Sequence, residues 1–194
     1  AQNKAPLDGD IFTAAQRAQL KAAVEKGVGF IVQAQITQAS VKTVWCAQHD
    51  PITFEPRGAR SYELASKSGK ESSLIVAFLM SQPQTPEVKA SVQAALAWYR
   101  SDAVQLKNTA YEKTNSKATN TTPFIAQAGT TTWYRFYDLN ADTGFFSGRL
   151  PTDSPPGVGK QYDIMAVETE RRYGYEWGGS YGTKLLTYAA SVGY

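Results

Sequence analysis

The sequence predicts a mainly α-helical fold with long loops and a little β-structure. Three observations carry this: capped runs with apolar residues at helical spacing, aromatic-rich connections between them, and one short stretch of strand-type alternation. At 194 residues and 42% hydrophobic, the chain can bury one sizeable core. The first nine residues read as a linker and residues 10–194 as a single helical domain.

Thr13 is placed to cap a first helix carrying Leu20, Ala23, Val24, Val28 and Ile31 on one face, with Gly27 and Gly29 weakening its end. A turn-rich passage, HDPITFEPRGAR, follows. Ser68 and Glu71 then have capping-box spacing before LIVAFLM, a run apolar nearly all round and therefore expected to be buried. The clearest helix start is Thr85 with Pro86, leading a face of Val88, Val92, Ala95, Leu96 and Tyr99 and ending near Asp102. Residues 107–132, rich in Asn, Thr, Ser and Ala, read as a long surface insertion. TWYRFYDL alternates as a strand, with Trp133, Arg135 and Tyr137 on one face and Tyr134 and Phe136 on the other. LPTDSPPGVG is a loop. Asp163 is the cap expected for a helix IMAVETERRY that stops at Gly174, and TKLLTYAASV forms a last short helix.

A formal charge of +3 is too small for a general nucleic-acid binder. The longest apolar run is too short to span a bilayer, so no membrane partner is expected, and AQNKAPLDGD lacks the apolar core of a signal peptide. Export would imply a signal already removed. The lone Cys46 forms no intrachain disulfide, and with His49 it does not complete a zinc-type ligand set. A Cys46–His49 nucleophile lacks an orienting partner; buried Cys46 and Trp45 fit better as core. His49 and Asp50, ahead of Pro51, suit a turn fixed by side-chain to backbone bonds and still lie where they can line a pocket. SGKES lacks the full phosphate-loop spacing. Arg171 and Arg172 in ETERR read as a solvated helix end.

Three stretches set an arginine among aromatic or rigid neighbours: EPRGARSYELAS around Arg60, TWYRFYDL around Arg135 and FFSGRL around Arg149. A guanidinium fork takes a carboxylate in a bidentate pair, and an aromatic face beside it can stack on a sugar ring. The same spacing also fits ordinary salt bridges above an aromatic core.

These stretches, in order, resemble polysaccharide lyase family 10, the pectate lyases: TVWCAQHDPITFEP, ARSYELAS, the run before FLMS, RFYDL, FFSGR and ERRYGYEW. The likeness extends from about Asp10 to Trp177, with extra length in residues 107–132 and after Arg149. It implies part of an α/α toroid-like array and a substrate of calcium-associated polygalacturonate cleaved by β-elimination. By motif Arg60 matches the family's base, and Arg135 and Arg149 match arginines that hold substrate carboxylates; His49, Asp50 and Tyr137 are added as substrate-facing neighbours. The family's calcium-site aspartates lie in motifs ahead of VWCAQHD, and this chain is expected to begin after them. Asp8 and Asp10 are poor substitutes, since calcium takes about 6–8 oxygen ligands. The expectation is therefore a secreted, non-catalytic module that binds pectic polygalacturonate with no metal or other cofactor, alone or beside other modules of one enzyme. The alternatives are an active calcium-dependent pectate lyase and a structural subdomain that needs a missing half.

Overall fold

Thr13 opens the first helix with reciprocal bonds: its hydroxyl accepts from the Gln16 amide at 3.2 Å, and the Gln16 side chain accepts from the Thr13 amide at 2.9 Å. This helix, α1 (Ala14–Gln33), runs through both glycines. The structure is a computed structural model that describes residues 11–148 and 159–194. The expected linker, Asp8, Asp10 and Arg149 thus lie outside the described residues. No residue of α1 is buried, and Leu20 and Val24 remain exposed.

The second helix, α2 (Glu71–Met80), begins later than a Ser68 cap would place it: Ser68 bonds the Glu71 amide at 3.3 Å and the Glu71 carboxylate, but its own amide goes to the Trp45 carbonyl and Lys70 occupies the cap position without a side-chain bond. Its burial departs from expectation. Only Ser72, Val76 and Leu79 are buried, and Leu74 is 69% exposed, because neighbouring helices cover just one side. The third, α3 (Pro86–Arg100), is capped by Thr85, which accepts from the Val88 amide at 3.3 Å, and buries Val88, Val92, Ala95, Leu96 and Tyr99 as its spacing predicts.

Residues 107–132 are not an unstructured insertion. After the two-residue strands β1 (Thr37–Gln38), β2 (Val41–Lys42) and β3 (Lys67–Ser68), they contribute to β4 (Leu106–Tyr111) and β5 (Phe124–Tyr134), which pair antiparallel around a short helix, α4 (Thr114–Thr119). The strand β5 is mostly exposed along its first half, so no apolar alternation marks it in the sequence. The chain then changes sheets. β5 ends at Tyr134, β6 (Phe136–Tyr137) pairs with β3 (Lys67–Ser68) and β7 (Gly144–Phe145), and β5 pairs with β8 (Gly178–Gly179). Arg135 occupies the crossing point.

The helix expected after Asp163 is split. Asp163 caps a single 3-10 turn, Ile164–Ala166, and α5 (Thr169–Gly174) starts afresh before stopping at Gly174. The last helix, α6 (Tyr181–Ser191), packs on α2 and β5. Two cores result. One joins Trp45, Val76, Leu96, Tyr99, Trp133 and Leu185, largely between helices; the other is an aromatic cluster of Tyr62, Phe136, Phe145, Phe146, Tyr175 and Trp177 among the loops. The fold is therefore mixed rather than purely helical: six helices with small antiparallel sheets among the described residues.

Arg171 and Arg172 are not a solvated helix end, since each is only 5% exposed. Arg172 donates to the carbonyls of Met165 at 2.9 Å and Val167 at 2.8 and 3.2 Å, and to Asn120 at 3.0 Å, stitching α5 to the 3-10 turn and to the end of α4. Removing the guanidinium would leave buried carbonyls without a donor, so Arg172→Ala is expected to cost about 2–4 kcal/mol of unfolding free energy. Urea denaturation of both proteins measures this; a change within about 0.5 kcal/mol would restore the solvated reading.

Candidate functional site

Arg60 follows the turn-rich passage and projects into solvent, its side chain 62% exposed. Its guanidinium forks onto Glu63, with Nε 2.8 Å from one carboxylate oxygen and a terminal nitrogen bonded to the other. It also lies over the Tyr62 ring, 5.0 Å from the centroid. Charge-assisted bonding to Glu63 raises the Arg60 pKa further above its ordinary value, so this group is held protonated.

Arg135 is placed by its backbone. Its amide donates to the Trp177 carbonyl at 2.7 Å, and its carbonyl accepts from the Gly69 amide at 2.8 Å. A side chain at Gly69 would run into the Tyr134 carbonyl, so this approach requires glycine. The guanidinium pairs with Glu71 at the start of α2 and lies over Tyr175 at 4.3 Å and Phe136 at 5.7 Å. That is the aromatic-core side, not the side of Trp133 and Tyr137 that simple alternation predicts; the change of sheet at Arg135 is the reason. Its Nε is buried and has no hydrogen-bond partner.

The Tyr175 ring gathers the cluster. Arg135 lies at 4.3 Å, Arg171 at 5.8 Å and Arg60 at 5.9 Å from its centroid. Arg171 also covers Tyr62 at 4.0 Å. The Tyr175 hydroxyl donates to Glu63 at 2.7 Å, and burial first, then this bond, pushes its pKa up. Glu63 is held down to about 2, chiefly by Arg60 and, among the smaller contributions, by Tyr175.

The other predicted residues lie elsewhere in the architecture. His49 accepts from the Cys46 amide at 2.9 Å through Nε2, which leaves Nδ1–H to donate to the Phe54 carbonyl at 2.8 Å. Burial lowers its pKa, in keeping with a neutral ring. Asp50 accepts from the amides of Ile52 and Thr53, both at 2.9 Å, and from Arg57 at 3.3 Å. Together they hold the turn in which Phe54 adopts a φ of 63° and packs on Phe30. Tyr137 is fully buried; its hydroxyl donates to Val104 at 2.6 Å and accepts from the Tyr134 amide at 2.8 Å. Sequence reasoning gave Glu71 a capping role and Arg171 a solvated one, and assigned neither these nor Glu63, Tyr62 or Tyr175 to the site. Tyr62 and Glu63 stand two and three residues beyond Arg60, and the ERRYGYEW run holds Arg171 and Tyr175.

The carboxylates nearest these arginines are already engaged by cations, Glu63 by Arg60 and Glu71 by Arg135. Among the described residues no group of three or more His, Cys, Asp or Glu side chains is arranged to hold a metal. The described residues therefore do not fit calcium by themselves.

Helices, small sheets and loops together set guanidinium groups over buried tyrosine rings, with Arg60 reaching solvent above them. The chain belongs to the pectic acid lyase family, whose model matches residues 1–186. Two solved structures are similar. One is a family 10 polysaccharide lyase from Cellvibrio cellulosa, with 45% identity and a TM-score of 0.91 over 98% of this chain and 56% of that one. The other is an aspartate-to-alanine mutant of such a lyase from the same organism in complex with trigalacturonic acid, also at 45% identity and a TM-score of 0.91, over 99% of this chain and 57% of that one. The chain thus spans little more than half the length of these lyases, and it forms part of their fold. No curated protein sequence matches it.

Glu63 gives the site a pH signature. A carboxylate whose folded pKa is depressed stabilises the fold above its unfolded value near 4.5, and that contribution is lost as pH falls toward about 2. The stability gap between the protein and its Glu63→Gln variant should therefore narrow from pH 5 to pH 2. Urea midpoints at each pH test this; a pH-independent gap would show that Glu63 is not held by Arg60.

Proposed function

We propose that the protein binds de-esterified pectic polygalacturonate without cleaving it. The observation that supports this most is that two separated motifs, at Arg60 and Arg135, bring their guanidinium groups over the same Tyr175 ring. Carboxylates of consecutive galacturonate residues would pair with these cations, exchanging with Glu63 and Glu71, above the buried rings of Tyr62 and Tyr175. Arg149, by motif, supplies a third clamp. His49 and Asp50 act indirectly by holding the preceding turn, and Tyr137, itself in β6, by tying that strand to Val104 and Tyr134 through its buried hydroxyl. The complex formed by the similar lyase with trigalacturonic acid supports the same ligand class.

Binding without cleavage is supported by the state of the nearby carboxylates, since Glu63 and Glu71 are each engaged by an arginine and not gathered around a metal position. The rival reading, calcium-dependent β-elimination, draws on the 45% identity to a lyase. It would require acidic ligands beyond those described. Such a ligand is met in plant cell walls, so action outside the cell, alone or joined to other modules of a wall-degrading enzyme, belongs to the proposal.

Titration calorimetry should show binding to de-esterified polygalacturonate, much weaker binding to highly methyl-esterified pectin, and none to neutral glucans. A hydrogen bond to a charged partner contributes about 1.5–3 kcal/mol, so Arg135→Ala should weaken affinity roughly ten- to a hundred-fold. Equal binding of esterified and de-esterified pectin would refute the arginine site.

With millimolar calcium, no unsaturated ultraviolet-absorbing product should form from polygalacturonate. Product formation abolished by Arg60→Ala would establish the lyase reading instead.

A further inference from the structure

Beside the arginine cluster lies a cavity of about 580 Å³, within the roughly 300–1,000 Å³ span of ligand pockets. Its walls come from the first turns of α2, from the backbone at Gly178 and Gly179, and from the exposed face of α6, with Leu74, Glu176, Tyr181, Lys184 and Tyr188 among them. None of Arg60, Arg135, Tyr62 or Tyr175 lines it. The two regions nevertheless share a wall. The Tyr111 hydroxyl, on the cavity side, donates to the Tyr175 carbonyl at 3.1 Å and accepts from the Trp177 amide at 3.0 Å. Lys70 and Glu71, adjacent in sequence, pair with Glu176 of the cavity and Arg135 of the cluster respectively.

Charge and shape in this cavity suit one acidic sugar. Lys70 neutralises Glu176, and Lys184 is exposed with no ion-pair partner among the described residues, which leaves a single positive charge. Tyr188, 42% exposed, and Leu74, 69% exposed, offer apolar surface on opposite walls. A cation without an ion-pair partner among the described residues, beside exposed aromatic and aliphatic surface in one cavity, is an arrangement that an acidic sugar completes. Ser180 makes no side-chain cap on α6 and no acidic residue occupies its first turn, so the helix dipole adds to the same preference.

We infer that this cavity is a second uronate-binding subsite, which takes a sugar of the same polygalacturonate chain beyond those held by the arginines. The inference rests on the proposed polygalacturonate binding and extends it: affinity should grow with chain length through linked occupancy of two sites. Its residues are Lys184, which pairs with the carboxylate, and Tyr188, against which the ring packs.

Calorimetry with trigalacturonate and hexagalacturonate, on the protein and on Lys184→Ala, Tyr188→Ala and the double variant, tests this. All are surface substitutions, and thermal unfolding confirms that each variant folds. Hexamer affinity is expected to fall about ten-fold or more in the double variant while trimer affinity stays within about two-fold. Lys184→Arg should retain hexamer binding, since it keeps the charge. Unchanged hexamer affinity, or equal losses for both oligomers, overturns the second subsite and leaves the arginine site standing. A protein that binds neither oligomer removes both.

Discussion

The backbone of Arg135 is the joint on which the site depends. In one residue the chain leaves the β4–β5–β8 sheet and enters the β3–β6–β7 sheet, and both main-chain polar groups are satisfied by distant partners, Trp177 and Gly69. The guanidinium is thereby committed to the space between the start of α2 and the Tyr175 ring. Glu71 secures it from one side and Tyr175 from the other. A side chain so held loses little further freedom when it meets an anion, which is the condition for efficient recognition.

Buried charge around this joint is managed by dense pairing rather than by exposure. Arg172 spends its donors on carbonyl groups of the α5 approach, and Arg171 lies across Tyr62. Lys67 is fully buried, 2.6 Å from Asp142, which also accepts from Trp98 at 2.9 Å; burial lowers the lysine's pKa. In a low-dielectric interior each such cation needs a partner in place. The aromatic loops between helices are therefore as ordered by polar bonds as the helices are by apolar packing. Arg60, by contrast, reaches solvent while its partner Glu63 stays largely shielded and is also bonded by Tyr175.

The helix caps at Thr13 and Thr85 were legible because a cap depends on residues three apart, whereas Ser68 was drawn into a strand, its amide bonded to the distant Trp45 carbonyl, and does not cap α2. Burial was less legible. The apolar run of α2 promised burial on every side, yet Leu74 faces outward, since which face is covered depends on where other helices pack. The β4–β5 hairpin was hidden for the opposite reason: its exposed strands carry polar residues on both faces and show no period.

The sequence by itself determined the family motifs, the positions of the motif arginines at 60, 135 and 149, and the local turn chemistry of His49 and Asp50, because these depend on residue type over short spans. Only the tertiary structure decided which groups meet. It joined Arg135 to Glu71 across 64 residues and Tyr175 to Glu63 across 112, and it drew Arg171 out of an apparently solvated helix end into the aromatic cluster. Such pairings follow from how sheets and helices stack, and side-chain bonds between distant segments leave no periodic trace in the chain that makes them.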